Sequence, residues 1–202
     1  MIYRDTQTAR RSLHALAASQ AGYFTAKQAA QAGYSYSHLA YHLRSGNFQR
    51  IGHGLYRLPE VPLAQTDDLV RLALWSRDQN DAIQAVASHE TALGLHALSD
   101  VIPSRIHLTV PPTFRKKAPR GCVLHKARLA PDNVEDRDGF LVTTPLQTLL
   151  DVAAGSTVSK EQLDRAVADA LSRGLVRRSR LQAAARTRPG AARILPRALT
   201  GG

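Results

Sequence analysis

The side chains between Thr25 and Arg57 are those of a surface that donates hydrogen bonds and neutralises phosphate. Ser37, His38, Tyr41, His42 and Arg44 fall close together, with Thr25, Lys27, Gln28 and Ser35 before them and Arg50, His53 and Arg57 after them. Such residues anchor a protein on duplex phosphates, and the same types read base edges in the major groove. Other chemistry has to be weighed against this. His38 and His42 stand one helical turn apart, which is a metal spacing, but no Cys, Asp or Glu lies nearby in sequence to complete a site. Contact with bases or phosphates is the favoured role for the pair, and exposed filler is the alternative. His89-Glu90 and Asp151 invite a hydrolase reading. The chain nevertheless has no His-Glu-x-x-His, no Gly-x-Ser-x-Gly, no Walker loop and no Gly-x-Gly-x-x-Gly. His89 then reads as a neighbour of a helix cap and Asp151 as a buried hydrogen-bond anchor. Neither catalysis, a cofactor nor a metal is expected.

The elements that must position these residues are legible in order. A short helix from Thr25 to Ala32 is stopped by Gly33, where a left-handed residue lets the next helix leave steeply. A second helix opens at Ser35 as N-cap and runs to about Ser45, with Gly46 ending it. Tyr36, Leu39, Ala40 and Leu43 fall at i, i+3, i+4 and i+7, an apolar stripe opposite the polar face. Phe48 to Ile51 and Leu55 to Leu58 flank Gly52-His53-Gly54, which predicts a β-hairpin with a glycine-rich tip. Helix, turn, helix and hairpin in this order read as a winged helix-turn-helix. Ahead of it, Leu13, Leu16 and Ala17 give a first helix its apolar stripe, with Arg10 and Arg11 facing outward. Arg10-Arg11-Ser12-Leu13 superficially resembles a twin-arginine export signal, but His14, Ser19 and Gln20 interrupt the apolar region it would need.

The composition agrees with a phosphate-binding role. The chain of 202 residues carries 27 Lys+Arg against 16 Asp+Glu, a net charge of +11, which biases it toward anionic partners. Residues 1–62 are net +5, residues 63–112 net −3, residues 113–150 net +3 and residues 151–202 net +6. Ends and middle thus present different surfaces. The single cysteine, Cys122, can form no internal disulfide and suits a reducing cytoplasm. No apolar run approaches the ~20 residues that span a bilayer, so no membrane partner is expected.

A linker is read at Pro59-Glu60-Val61-Pro62. It divides a DNA-binding domain over residues 1–60 from a second domain over 63–186, with a mobile tail at 187–202. In the second domain a helix is expected over about 64–77, and another from Ser88 to about Leu98. Strands are expected at 105–110, 122–127 and 139–143. The first of these alternates strictly, as for one buried and one wet face. Thr144-Pro145 opens a helix, Ser159 with Gln162 forms a capping box for another, and residues 179–187 make a last one. The fold class is α+β: a winged helix-turn-helix, then a mixed α+β domain with a small antiparallel sheet and flanking helices. Arg115-Lys116-Lys117 and Arg177-Arg178-Ser179-Arg180 read either as solvated charge or as phosphate-tracking surfaces. The bias of 22 Arg over five Lys favours bidentate phosphate contact, although a GC-rich genome produces the same bias.

These motifs together resemble the AbiEi family of type IV toxin–antitoxin antitoxins. The resemblance lies in Gly22-Tyr-Phe-Thr-Ala-Lys-Gln-Ala29, Gly54-Leu-Tyr-Arg57, Ser88-His-Glu-Thr-Ala-Leu93, Ile106-His-Leu-Thr-Val-Pro111 and Thr144-Pro-Leu-Gln-Thr-Leu-Leu-Asp-Val-Ala153, over about residues 10–185. It implies a winged helix that binds double-stranded operator DNA of its own promoter, and a remainder that helps antagonise a nucleotidyltransferase-like toxin. Similar chains often continue into a nuclease-like domain after an Arg-Pro-Gly segment. Here Arg188-Pro189-Gly190 is close to the end and no Glu-x-Lys or Asp-x-Lys follows Pro131-Asp132, so a complete nuclease is not expected. The reading is a cytoplasmic bacterial repressor and antitoxin. Its rivals are a regulator of the same shape without a toxin, and an interaction module that binds DNA weakly.

Overall fold

The computed structural model describes residues 2–100, 103–155 and 158–192. Two compact units emerge, the first comprising residues 1–83 with 137–140 and the second residues 84–136 with 141–202.

In the first unit α1 (Ile2–Ala18) is followed by β1 (Tyr23–Thr25), α2 (Ala26–Gln31), α3 (Tyr36–Arg44), β2 (Gln49–Gly52), β3 (Leu55–Arg57) and α4 (Asp67–Ser76). Local chemistry starts each helix of the helix-turn-helix. Thr25 caps α2 through the Gln28 backbone N–H, while the Gln28 side chain returns to the Thr25 N–H at 2.8 Å, a reciprocal capping box. Ser35 accepts from the His38 N–H at the start of α3. Between them Gly33 takes φ +99°, a conformation that a side chain would strain. The strands pair antiparallel in the order β1-β3-β2, with a register shift between Arg50 and Gly52. Leu13 and Ala17 of α1, Phe24 of β1, Leu39 of α3 and Phe48 form the core. Burying a Phe or Leu side chain is worth about 1.5–3 kcal/mol, and these few close the unit.

The division between units falls at residue 83/84, beyond the linker read at 59–62, because α4 is tied back. Tyr23 donates its hydroxyl to Asp67 Oδ2 at 3.0 Å, Arg77 donates to Gln20 Oε1 at 3.0 Å, and Lys27 meets Asp81 at 2.9 Å. Burial, then the Asp67 carboxylate, pushes the Tyr23 phenol above its ordinary range.

The second unit is built on a five-stranded sheet ordered β6-β5-β4-β8-β7, from β4 (Val86–Ala87), β5 (Ile106–Val110), β6 (Cys122–Lys126), β7 (Val134–Arg137) and β8 (Phe140–Thr143). It is larger than the small antiparallel sheet expected, and mixed. β4 pairs antiparallel with β5 but parallel with β8, and β5 pairs parallel with β6 from Ile106↔Cys122 to Val110↔Lys126. The basic segment between β5 and β6 is therefore a crossover rather than a hairpin loop, anchored by the buried ring of Phe114. His107 to Val110 of β5 are all buried, because Ser88 and His125 pack on Thr109 and His107, in place of the wet face the alternation suggested. Helices α5 (His89–Leu95), α6 (Pro145–Gly155), α7 (Lys160–Ser172), α8 (Arg178–Thr187) and α9 (Pro189–Ala192) complete the unit. Leu93, Leu149, Val152, Leu163, Val167 and Leu181 make their common core.

The tail expected to be mobile from residue 187 is anchored at its start. Arg188 meets Asp151 at 2.9 Å, and Ala191 of α9 is fully buried. Residues 193–202 lie outside the described residues.

Candidate nucleic-acid interface

On α3 the solvent face is set by Ser37, Tyr41 and Arg44, at i, i+4 and i+7, all exposed, with His38 beside them. Leu39 is buried and Leu43 half-buried on the opposite side, sealing the helix to the core. Between Asp5 and Glu60 the chain has no carboxylate at all, so α3 and the wing carry no negative side chain of their own. In the wing, Arg50 and His53 are exposed and Gly54 takes φ +65° at the tip.

Several residues expected on the surface are otherwise engaged. Gln28 is buried, its side chain closing the capping box and exchanging hydrogen bonds with Gln20, so it is out of reach of a groove. Thr25 is spent as the N-cap. Arg57 is 5% exposed, donates to the Val61 carbonyl and lies 5.6 Å from the Tyr23 ring centroid. It is a structural cation, since β1 pairs Tyr23 directly opposite it. Lys27 is exposed but held by Asp81 and the Gln79 carbonyl. His42 turns inward: its ring stacks on Phe48 at 4.8 Å, and its Nδ1 lies 3.1 Å from the Asn47 amide. Burial, followed by the charges of His38 and Arg10, lowers its pKa and favours the neutral ring.

The structure also exposes a residue the sequence reading placed in the core. Tyr36, assigned to the buried stripe, is 89% exposed. It is the first residue of α3, and the stripe's geometry has no partner left for it there.

A second polar cluster lies in the second unit. The His89 and His125 rings stack at 3.6 Å and 14°, and His125 Nε2 lies 3.1 Å from His107 Nδ1. His107 Nε2 is 3.6 Å from Glu90, and His89 Nδ1 is 2.9 Å from Ser88 Oγ, which accepts from Thr109. Burial is the main cause that pushes His89 down to about 3, with the neighbouring imidazoles adding to it, and His125 is lowered likewise. His89 opens α5 while His107 and His125 lie within β5 and β6, and their equal separations of 18 residues are too long to read as a local motif in the sequence. Asp151 has the anchoring role expected: Gln147 and Arg188 both donate to Oδ1, at 2.6 and 2.9 Å. Burial raises its pKa. Arg115, Lys116, Lys117 and Arg120 on the crossover, and Arg177, Arg178 and Arg180 at α8, are exposed.

The first unit is thus a three-stranded winged helix and the second a mixed α+β unit. Residues 11–59 match the model of the AbiEi antitoxin transcriptional regulator, and residues 85–199 match that of the AbiEi antitoxin C-terminal domain. The chain belongs to the AbiEi antitoxin family. A crystal structure of the RV2827C protein from Mycobacterium tuberculosis aligns with 80% of this chain and 71% of that one, at 19% identity and a TM-score of 0.46. No curated protein matches it in sequence.

Proposed function

We propose that this protein binds operator DNA upstream of its own operon, represses it, and antagonises a nucleotidyltransferase-like toxin. One observation carries the DNA reading: Ser37, Tyr41 and Arg44 share the solvent face of α3 within a carboxylate-free segment. Set in the major groove, that face meets base edges whose donor and acceptor patterns differ for each pair. His38 stands at its margin, and Arg50 and His53 of the wing hold the adjacent backbone. The toxin antagonism is carried over from the family, and the second unit is its proposed seat.

A non-catalytic role is supported by the site nearest to a nucleophile and base. Ser88 and His89 are within hydrogen-bonding distance, but Ser88 is fully buried and already accepts from Thr109, so no substrate reaches it. A lone cysteine supports a cytoplasmic location. Among the described residues no helix is long and apolar enough to cross a membrane.

Titration of the protein into the duplex upstream of its gene, against an unrelated duplex, tests the reading. Replacing Tyr41 and Arg44 together by Ala should reduce the preference for the upstream duplex by about 10-fold or more, since each base contact is worth roughly 1–3 kcal/mol. An unchanged preference in a normally folded double variant would remove α3 from the reading role. The two wing arginines should separate. Arg50→Ala should weaken binding to all duplexes alike and flatten the salt dependence by about one unit of slope. Arg57→Ala should instead lower stability by about 1–3 kcal/mol, because a buried, hydrogen-bonded cation is lost, and leave the slope alone. Equal slopes for the two variants would mean that Arg57 reaches phosphate after all. Growth on co-expression with the toxin tests antagonism; repression without rescue would make the protein a regulator that lacks a toxin partner.

A further inference from the structure

We propose that Tyr36 is a base-reading residue that selects an A·T pair by packing its ring on the thymine methyl in the major groove. The inference rests on the DNA reading above and adds a specific contact to it. Tyr34 and Tyr36 flank the N-cap Ser35, yet they have opposite fates. Tyr34 is 7% exposed and packs in the core, while Tyr36 is 89% exposed. Leu39 and Leu43 close the helix to the core without it. A ring this exposed gains the fold little through burial.

Its position gives it a use. In helix-turn-helix proteins the N-terminal residues of the second helix are those that contact base edges. Ser35 and Ser37 are short, and Ser35 is held as the N-cap. Ser35 Oγ accepts from the His38 N–H and lies 2.9 Å from Ser37 Oγ. Tyr36 is the first of the longer side chains there, exposed, with His38 behind it, and its chemistry limits what it selects. It lacks the two parallel donors that Arg presents to guanine and the paired amide that Asn or Gln presents to adenine. What it offers is a flat apolar face with one hydroxyl. The base feature complementary to an apolar face is the C5 methyl of thymine.

The test uses the full-length chain. Duplexes are selected from a randomised library by the wild type, by Tyr36→Phe and by Tyr36→Ala, and the affinities for the selected duplex are measured over a range of salt. The wild type and Tyr36→Phe should both select thymine at one position per site. Tyr36→Ala should lose that preference by about 10-fold, with an unchanged salt slope and circular dichroism spectrum. Deoxyuridine in place of that thymine removes only the methyl group. It should weaken the wild type and Tyr36→Phe and leave Tyr36→Ala indifferent. A Tyr36→Ala profile identical to that of the wild type, or a loss spread over all sequences with a slope lowered by one unit, overturns the assignment while leaving DNA recognition standing. Loss of preference in Tyr36→Phe shows that the hydroxyl reads the base and overturns the methyl contact. A wild type that enriches no sequence overturns both this assignment and the function it rests on.

Discussion

Phe24→Ala should cost the first unit about 3–5 kcal/mol, the range for removing a large aromatic from a close-packed core. Phe24 is fully buried, its ring meets Phe48 edge-on at 5.0 Å, and it stacks on Tyr56 at 5.7 Å. One side chain therefore joins β1 to the segment leading into β2 and to β3. Its removal leaves a cavity where the wing is attached to the helices, and a loss of this size is a large share of a typical stability of 5–15 kcal/mol. Trp75, the sole tryptophan, lies in α4 of the same unit, so its fluorescence reports that unit's unfolding. In urea, the tryptophan transition should move to lower denaturant, while helical ellipticity from α5 to α8 should keep its own midpoint. The variant should lose operator binding at growth temperature and still protect cells from the toxin, if antagonism resides in the second unit. Loss of both would show that neutralisation needs the DNA-bound state or the first unit itself. A single transition that shifts as a whole would show that the two units unfold together.

What was legible in the sequence was mostly local. The N-caps Ser35 and Ser159, the stops at Gly33 and Gly46, and the opening of α6 at Pro145 depend on residues a few positions apart, and the structure has them all. The wing hairpin was legible for the same reason. The misses arise where a partner distant in sequence decides. β1 and β4 are three and two residues long, too short to show a period. The parallel pairing of β5 with β6 was hidden because an 11-residue proline-flanked segment, 111–121, reads equally as a hairpin loop.

The candidate site divides along the same line. Ser37, Tyr41 and Arg44 were placed correctly on the open face of α3 because helical periodicity alone puts them there. Arg50 and Arg57 looked equivalent, yet β1 pairs Tyr23 opposite Arg57 and takes it inward. Gln28 carried a visible signal, since Thr-x-x-Gln ahead of a helix is a capping box. Tyr36 was misread because the apolar stripe was extended to the first residue of the helix, where the core has already ended.

Acid should weaken the second unit well before its carboxylates are protonated. His89 is 8% exposed, and its pKa is held down at about 3 from an ordinary 6.5, first by burial and then by His125 and His107. The folded state thus keeps the ring neutral, while the unfolded chain takes a proton below 6.5. Stability is complete above that pH and falls as the pH drops toward 3, at about 1.4 kcal/mol per pH unit once well below 6.5. For His89 alone the loss reaches about 2 kcal/mol at pH 5; His125 is lowered too and acts in the same direction. Glu90, which faces His107 at 3.6 Å, and Asp151 with its Arg188 partner complete the charged surroundings. Asp151, raised by burial, works oppositely, since the folded state gains rather than loses by its protonation. The check is urea unfolding followed by ellipticity between pH 7 and pH 5, in the wild type and in His89→Asn. Asn is the apt replacement because position 89 sits at φ +52°, a left-handed conformation that Asn tolerates better than most side chains. The variant should be somewhat less stable at pH 7 and should show a shallower fall toward pH 5. A wild type whose unfolding midpoint holds steady over this range would show that the histidine stack accepts a proton without cost, and His89 would then be solvated rather than buried. If His89→Asn falls as steeply as the wild type, the acid sensitivity belongs to His125 and its contact with His107.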